Sequence, residues 1–573
     1  MHEIGSPCIV KPMSEGSSYG VTRVTTAEEF AAAIADAAFV TPGMIQPVIC
    51  EEYITGMEFS CIVITDPVTG DFLPLPPTEI GLENDHTIFD YVQKYMPGRG
   101  IKYTPARCSD ERLQAIQTTC VKVARILHMR TFGRIDGFLN NEGTVVIIDP
   151  NTLGGMAPAS FTFLQAAQIG MSHTHLMNHL LNTELRAYGM ITHLSLGNTM
   201  KSENQRTRVA VLLGGASAER EISLESGRNI VYKLSPHKYE AIPIFVDEHH
   251  RLYRLPQDVL VKNRTSEIAA AVTAQNQIRW SDLPHTVDFV FIGLHGGKGE
   301  DGSVQGALEL LKLPYNGSSI VASAMCMDKY ATAQFLKSQG FDVPRGVLLS
   351  SKQWKDGIEL SDLLREHQLV FPLIVKPHDD GCSVLVSKVQ NQQELEQVIS
   401  LLCSERSHAL IEELVGGMEL TVGVLGNDNP QALPPSYAVA TQGVLSIEEK
   451  FLPGAGENQT PAPLPSEAIS FVQQTIRNVY QTVGCRGYAR IDCFYQSPAE
   501  SPTGCERLVI LEINSLPGLT PATCFFHQAA EIGLSPMDVI DQIVQYGIEA
   551  HRASNTSLQA NIKVDNVEKA IMA

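Results

Sequence analysis

Val10-Lys11-Pro12-Met13-Ser14-Glu15-Gly16-Ser17-Ser18-Tyr19-Gly20 and Val375-Lys376-Pro377-His378-Asp379-Asp380-Gly381-Cys382-Ser383-Val384-Leu385 are two versions of one stretch: a lysine at the end of an apolar strand, then a small-residue turn. Such a loop can bring one fixed cation and several backbone N–H groups to a polyphosphate, so its recurrence predicts two nucleotide-site modules. The blocks after each loop recur in the same order. Glu51-Glu52-Tyr53-Ile54-Thr55-Gly56-Met57-Glu58 answers to Glu412-Glu413-Leu414-Val415-Gly416-Gly417-Met418-Glu419, and Gly133-Arg134-Ile135-Asp136-Gly137-Phe138 answers to Ala489-Arg490-Ile491-Asp492-Cys493-Phe494. Last come Ile148-Asp149-Pro150-Asn151 and Leu511-Glu512-Ile513-Asn514. One such loop alone would read as a surface turn; four ordered blocks matched twice read as a duplicated domain, too long per unit for a solenoid.

With 573 residues and 44% hydrophobic content the chain can build three or four domains with substantial cores. A net charge of −20 disfavours nucleic acid and anionic membranes as partners, because phosphate surfaces reward the opposite sign. No stretch approaches the ~18 to 20 continuous apolar residues of a membrane span. The start, Met1 to Pro7, has neither a leader-like apolar core nor an Arg/Ser-rich transit composition. Twelve cysteines without a Cys-x-x-Cys pair indicate neither a disulfide framework nor a zinc ribbon, so a reducing, cytoplasmic setting is expected.

Up to about Leu196, apolar strands such as Phe59–Ile64 and Thr144–Ile148 alternate with helical stretches such as Ser109–His128. Gly197 to Arg206 has no apolar periodicity and reads as a linker. Val209 to Gly215 reads as a buried parallel strand ending in a glycine turn, and strands at Ile242–Val246 and Phe289–Leu294 continue an α/β sheet. From Met327 the second copy runs to about Ala550, and a polar tail follows.

Val209 to Leu224, with its Gly214-Gly215-Ala216-Ser217-Ala218-Glu219-Arg220-Glu221 core, His295-Gly296-Gly297-Lys298-Gly299-Glu300-Asp301-Gly302 and Met327-Asp328-Lys329 closely resemble the opening motifs of D-alanine:D-alanine ligases. Glu512-Ile513-Asn514 through Pro517-Gly518-Leu519-Thr520 resembles their closing motif. The resemblance covers residues 207 to about 550 in full; the first half matches only the later, nucleotide-binding portion. It implies an α/β and α+β chain of two ATP-grasp units, the second preceded by a Rossmann-like domain. The expected partition is a first unit over residues 1–196, incomplete at its N-terminus, a linker over 197–206, a Rossmann-like domain over 207–326, a second ATP-grasp domain over 327–550 and a tail over 551–573. A start inside a strand of a larger module is expected of a truncated gene model or fragment, and a plastid location is expected if the chain is a truncated plant-type protein.

The implied chemistry is phosphorylation of one D-alanine carboxylate by ATP, then attack by the amine of a second D-alanine. Phosphoryl transfer is mainly positioning and charge neutralisation, which lysines and magnesium supply. By resemblance Lys329, Lys376 and the loop serine Ser383 hold phosphates, Glu412, Glu413, Leu414, Val415 and Glu419 hold adenosine, and Asp492, Glu512 and Asn514 hold Mg²⁺, with Mn²⁺ an acceptable replacement. Hard oxygen ligands suit magnesium. Arg490, on the same strand face as Asp492, is placed to stabilise the acyl phosphate and the tetrahedral oxyanion; the plainer reading is a salt bridge to Asp492. Glu219 is matched to the carboxylate that receives the first ammonium group. His295 lies in the loop matched to substrate contact, in a glycine-rich frame that a core histidine does not need. D-alanine is the implied small-molecule partner, and a homodimer is compatible with the family.

The first copy offers Lys11, Ser17, Ser18, Glu51, Glu52 and Glu58 for nucleotide, Arg134 for catalysis, and Asp136, Asp149 and Asn151 for metal. It has Asp149 where the family has glutamate and lacks a counterpart of Lys329. The second copy departs elsewhere. Cys382 and Phe451 stand where many family members have a serine and a tyrosine, and Leu385 replaces a loop glycine, whereas the first copy keeps Ser17, Gly20 and the tyrosine loop Asp90 to Tyr95. A thiol is a weak hydrogen-bonding group and phenylalanine has none. A ligase joining D-alanine to D-lactate or D-serine, or one copy serving as a non-catalytic ATP-binding module, are the alternative expectations.

Overall fold

The computed structural model describes residues 4–41, 43–81, 101–157, 159–190, 206–379, 385–439, 457–521 and 523–571. Cys382, Ser383, Asp90 to Tyr95, Phe451 and all of the expected linker except Arg206 lie outside them. The chain forms two compact units, Met1–Thr199 with Pro256–Ala271, and Met200–Leu255 with Val272–Ala573. Residues 256–271 group with the first unit, where Val261 packs with Leu164 and Ala167.

In the first unit, Cys8–Pro12 is the middle strand of a three-stranded antiparallel sheet, between Thr22–Val24 and Val48–Glu52. Helix Ala27–Ala38 starts at a capping box in which Thr26 and Glu29 satisfy each other's backbone N–H, and it buries Ala33 and Ala37 against Cys8, Val10 and Val24. A second sheet has the order Ile101–Tyr103, Thr78–Gly81, Gly56–Thr65, Phe132–Asn140, Val145–Asn151, with Phe72–Pro74 also on Gly56–Thr65. Alternation along Gly56–Thr65 covers both faces. Phe59, Cys61 and Val63 pack with Ile116 and Cys120 of helix Asp110–Ile126, while Ile62 and Ile64 pack with Phe163 of Phe161–Gln168 and Leu176 of His173–Ala187.

The second unit opens on a five-stranded sheet in which Thr207–Gly214 lies parallel to both Tyr239–Val246 and Phe289–Ile292. Val209 to Leu213 are wholly buried, as a parallel strand covered on both faces requires. A four-stranded sheet follows, ordered Gly346–Ser350, His408–Glu413, Leu373–Lys376, Ser387–Val389. The last sheet repeats the strand order of the first unit: Glu457–Gln459, Ser436–Val439, Met418–Leu425, Tyr488–Gln496, Arg507–Asn514, with Gln431–Ala432 also on Met418–Leu425.

Helix Pro536–Ile571 continues through residues 551–571, and the stretch after Gly547 contains no glycine or proline that would stop it. Among the described residues no helix is long and apolar enough to cross a membrane.

Candidate functional site

The second unit places four of its candidate residues on two adjacent strands. Tyr488–Gln496 and Arg507–Asn514 pair with Asp492 opposite Glu512 and Arg490 opposite Asn514, and the register shifts just after Asp492. Period-two alternation puts all four side chains on one face. Arg490 binds Asp492 through Nε to Oδ1 at 3.0 Å and Nη2 to Oδ2 at 2.9 Å, so the plainer reading of this pair is also present. Burial would lower the guanidinium pKa, but Asp492 outweighs it and holds the group firmly charged. Thr421 Oγ1 donates to Asp492 Oδ1 at 2.5 Å. Asn514 Nδ2 donates to Asp492 Oδ2 at 3.3 Å, which leaves the amide oxygen of Asn514 for another partner.

Two lysines approach from other elements. Lys329 begins helix Lys329–Ser338, capped by Asp328 accepting from Ala331 N, and its Nζ lies 3.1 Å from Glu512 Oε2. Its backbone N–H donates to the carbonyl of His378, two residues beyond Lys376, at 2.8 Å. Burial pushes the Lys329 ammonium down, and the carboxylates of Glu512, Glu219 and Glu412 more than reverse this, so its pKa is raised. Lys376 Nζ sits 2.6 Å from Glu412 Oε2. Glu413 is held differently: Arg345 binds its carboxylate through Nε at 2.8 Å and Nη2 at 2.5 Å. Leu414 is exposed, and Glu419 pairs in register with Phe494 on the central strand. Leu385 takes φ +59° where Gly20 of the first copy takes +72°, so a bulky side chain occupies backbone territory that favours glycine.

The Rossmann-like sheet contributes from its strand ends. Glu219 stands just before the first turn of helix Arg220–Lys233, Ser217 Oγ donates to the carbonyl of His295 at 2.5 Å, and Glu219 N donates to Ser217 Oγ at 3.2 Å. His295 Nε2 and Ser226 Oγ are hydrogen-bonded at 2.9 Å, and Ser226 Oγ also accepts from Leu519 N, in the closing motif, at 3.2 Å. Burial, reinforced by Arg490, pushes the imidazole down to about 4 despite a bond with the Leu516 backbone, so His295 is neutral at physiological pH. Glu300, quoted within the glycine-rich motif but assigned no role from sequence, is pushed up to about 8, first by burial and then by the neighbouring Glu219. Its Oε2 accepts from Gly296 N at 2.8 Å.

The first unit repeats the two-strand geometry. Asp136 faces Asp149 and Arg134 faces Asn151, with the same register shift after Asp136. Arg134 binds Asp136 through Nε at 3.0 to 3.1 Å and Nη2 at 2.9 Å, and Asn151 Nδ2 reaches Asp136 Oδ2 at 3.3 Å. Burial raises the Asp136 pKa against the opposing pull of Arg134. Lys11 Nζ lies 2.7 Å from Glu51 Oε2. Ser17 and Ser18 take φ of 57° and 60° in the loop, Glu52 is exposed, and Glu58 pairs in register with Phe138.

Oxygen donors from Asp492, Glu512 and Asn514 on one sheet face, beside two lysines, are a chemically suitable set for a hard divalent cation with phosphate. Among the described residues no group of three or more His, Cys, Asp or Glu side chains is arranged to hold a metal ion.

Comparison with known proteins agrees with this layout. The family model described as D-ala D-ala ligase C-terminus matches residues 1–182 and 335–545, and the model described as D-ala D-ala ligase N-terminus matches residues 208–318. The D-alanine–D-alanine ligase of Desulforudis audaxviator is 33% identical over 60% of this chain and 99% of its own length. D-alanine–D-alanine ligase A of Salmonella typhimurium is 32% identical over 61% of this chain and 98% of its own. Among solved structures, the D-alanine-D-alanine ligase from Coxiella burnetii is 26% identical with a TM-score of 0.53, covering 63% of this chain and 99% of that one. The VanG D-Ala:D-Ser ligase from Enterococcus faecalis is 27% identical with a TM-score of 0.52, covering 60% of this chain and 100% of that one. With its C-terminal domain matched twice and its N-terminal domain once, the chain belongs to the D-ala D-ala ligase family.

Proposed function

We propose that the second unit joins two molecules of D-alanine into D-alanyl-D-alanine at the expense of ATP, supplying peptidoglycan precursor synthesis. The observation that carries the reading is the convergence of Lys329, Lys376, the Arg490–Asp492 pair, Glu512 and Asn514 with Glu219 and neutral His295 in one unit. Lys329 and Lys376 hold the phosphates, exchanging their carboxylate partners for phosphate oxygens. The segment from Glu412 to Glu419 cradles adenosine. Glu219 receives the ammonium of the first D-alanine, and Arg490 stabilises charge on the acyl phosphate and on the tetrahedral intermediate formed by the second amine. Magnesium, held by Asp492, Glu512 and Asn514, neutralises phosphate charge when bound. The first unit has the matching Lys11, Arg134, Asp136 and Asn151, with an exposed Asp149 where the second unit has Glu512, and we assign it nucleotide binding with little or no turnover.

The test is ADP release and dipeptide formation with D-alanine as sole amino acid. No ADP release from a folded chain overturns the reading. The same assay with D-serine or D-lactate competing as nucleophile addresses the second reading, which draws on the likeness to a D-Ala:D-Ser ligase and on Cys382 and Phe451 in the sequence. A product dominated by D-alanyl-D-serine or D-alanyl-D-lactate would replace the first.

A further inference from the structure

Each unit contains a wholly buried glutamine that none of the recognised motifs includes. Gln528, in helix Cys524–Ala530, accepts from Gly423 N at 2.7 Å and donates through Nε2 to the Thr421 carbonyl at 2.8 Å and to Ser436 Oγ at 2.9 Å. Gln165, in helix Phe161–Gln168, accepts from Ile62 N at 2.8 Å and donates to the Ser60 carbonyl at 2.8 Å and Thr78 Oγ1 at 3.1 Å.

The sheet explains why a glutamine stands there. One side of Met418–Leu425 is paired by Ser436–Val439 only at Leu420 and Thr421, and by Gln431–Ala432 only at Val424 and Leu425. The ladder thus breaks between two short partners. A buried N–H and C=O left open there would be costly, and a primary amide, which carries both a donor and an acceptor, can close the gap as a piece of backbone would. Gly56–Thr65 has the same break between its partners at Phe59–Ser60 and at Val63–Ile64. In the second unit the gap runs from the carbonyl of Thr421 to Gly423 N–H, and the hydroxyl of Thr421 fixes Asp492 and, through Asp492, the Arg490 guanidinium. Gly423 completes the fit: a Cβ there would come within 2.8 Å of Gln528 Oε1 and 2.9 Å of the Phe525 ring.

We infer that Gln528 is a positioning residue of the ligase site: it holds the Thr421 segment so that the Thr421 hydroxyl sets the orientation of Asp492 and Arg490. The inference rests on the proposed function. Full-length chains carrying Gln528→Met, Thr421→Val and both are assayed for ADP release per folded protein, with melting temperature measured in parallel. Gln528→Met lowers kcat roughly 10- to 100-fold, the range for removal of a supporting shell, while the KM for D-alanine moves far less. With Thr421→Val already present, Gln528→Met costs kcat at most about threefold more, although both substitutions still lower the melting temperature. An unchanged kcat, or losses that multiply in full, overturns the positioning role. If Gln528→Met does not fold, Gln528→Glu takes its place. It keeps the acceptor for Gly423 N–H but donates to the Thr421 carbonyl only when protonated, so its turnover relative to the unaltered chain rises as pH falls; a parallel pH profile overturns the inference. Absence of ADP release from the unaltered chain would instead overturn the reading of function.

Discussion

The two large sheets are one design built twice, whereas the smaller sheets that carry the lysine loops differ, and the difference lies in what surrounds each lysine–glutamate pair. In the second unit Gly346–Ser350 pairs with His408–Glu413 and brings Arg345 onto Glu413. Among the described residues Val48–Glu52 of the first unit pairs with Cys8–Pro12 alone, and its Glu52 is exposed. The lysine–glutamate pairs follow suit. The side chains of Lys376 and Glu412 are 12% and 6% exposed, against 23% and 39% for Lys11 and Glu51. Water screens the more open pair and competes for the same lysine, so identical motif residues are worth less there.

The sharpest way to break this contrast is at the carboxylates facing Asp492 and Asp136. Glu512 is bonded to Lys329, while Asp149 is exposed and one methylene shorter. Glu512→Gln keeps the shape and removes the charge that balances Lys329, and it is expected to reduce ADP release on the order of a thousandfold. Asp149→Asn is expected to change it by no more than about twofold, within the range of an ordinary surface change. Comparable losses in both variants would mean that the copies share the work.

The lysines give the next largest effect. Lys376→Ala removes a charged contact worth about 1.5–3 kcal/mol, which is roughly 10- to 150-fold in turnover. Lys11→Ala is expected to cost turnover at most a few-fold. Equal losses from the two changes would sink the assignment of the ligase reaction to the second unit.

A stability difference should separate the units as well. Glu300 has its pKa raised from 4.5 to about 8 by burial and Glu219, with Arg490, Lys329 and the Gly296 N–H pulling the other way. Between those values the folded chain holds a proton that the unfolded chain has released, so stability falls as pH rises through that window and the penalty is complete above about 8. Glu300→Gln escapes it. Relative to the unaltered chain, the variant is expected to melt several degrees higher at pH 9 than it does at pH 5, with the gain confined to the transition of the second unit. A difference that does not vary with pH would show that Glu300 ionises freely.

Much of this contrast was legible in the sequence, because blocks that carry charge at fixed spacing survive as strings: Arg-x-Asp on one strand and Glu-x-Asn on the next register across the sheet as their spacing implies. The buried glutamines were not. Phe163-Leu164-Gln165-Ala166-Ala167 and Phe526-His527-Gln528-Ala529-Ala530 read as short apolar helices, and the need for an amide appears only once a sheet ladder is seen to break beside it. The repetition of those two strings was the available signal. Glu300 was hidden for another reason: the charged groups that act on it, Glu219, Arg490 and Lys329, stand on other elements of the fold. The helical course of residues 551–571 leaves only a weak trace in the sequence, since a polar stretch lacks an apolar stripe and only the absence of glycine and proline after Gly547 favours continuation.

The smallest expected effect tests whether the first unit keeps a ligand at all. Lys11, the left-handed pair Ser17 and Ser18, and the Glu51 to Glu58 segment provide a cation, loop N–H groups and acceptors for a nucleoside, and the glycine that lets the two strands meet is present in both units. A Cβ on Gly56 would come within 2.3 Å of the Leu139 carbonyl, and one on Gly417 within 2.4 Å of the Tyr495 carbonyl. The full-length chain is therefore expected to bind two molecules of a non-hydrolysable ATP analogue by calorimetry, one more weakly than the other. Because Lys11 is partly solvated, Lys11→Ala should weaken only the weaker site, by no more than about fivefold, in line with an exposed ion pair. Lys376→Ala should act on the tighter one alone. A stoichiometry of one in the unaltered chain would leave the first unit as scaffold, and a Lys11→Ala effect on the tighter site would mean that the two sites had been assigned to the wrong copies.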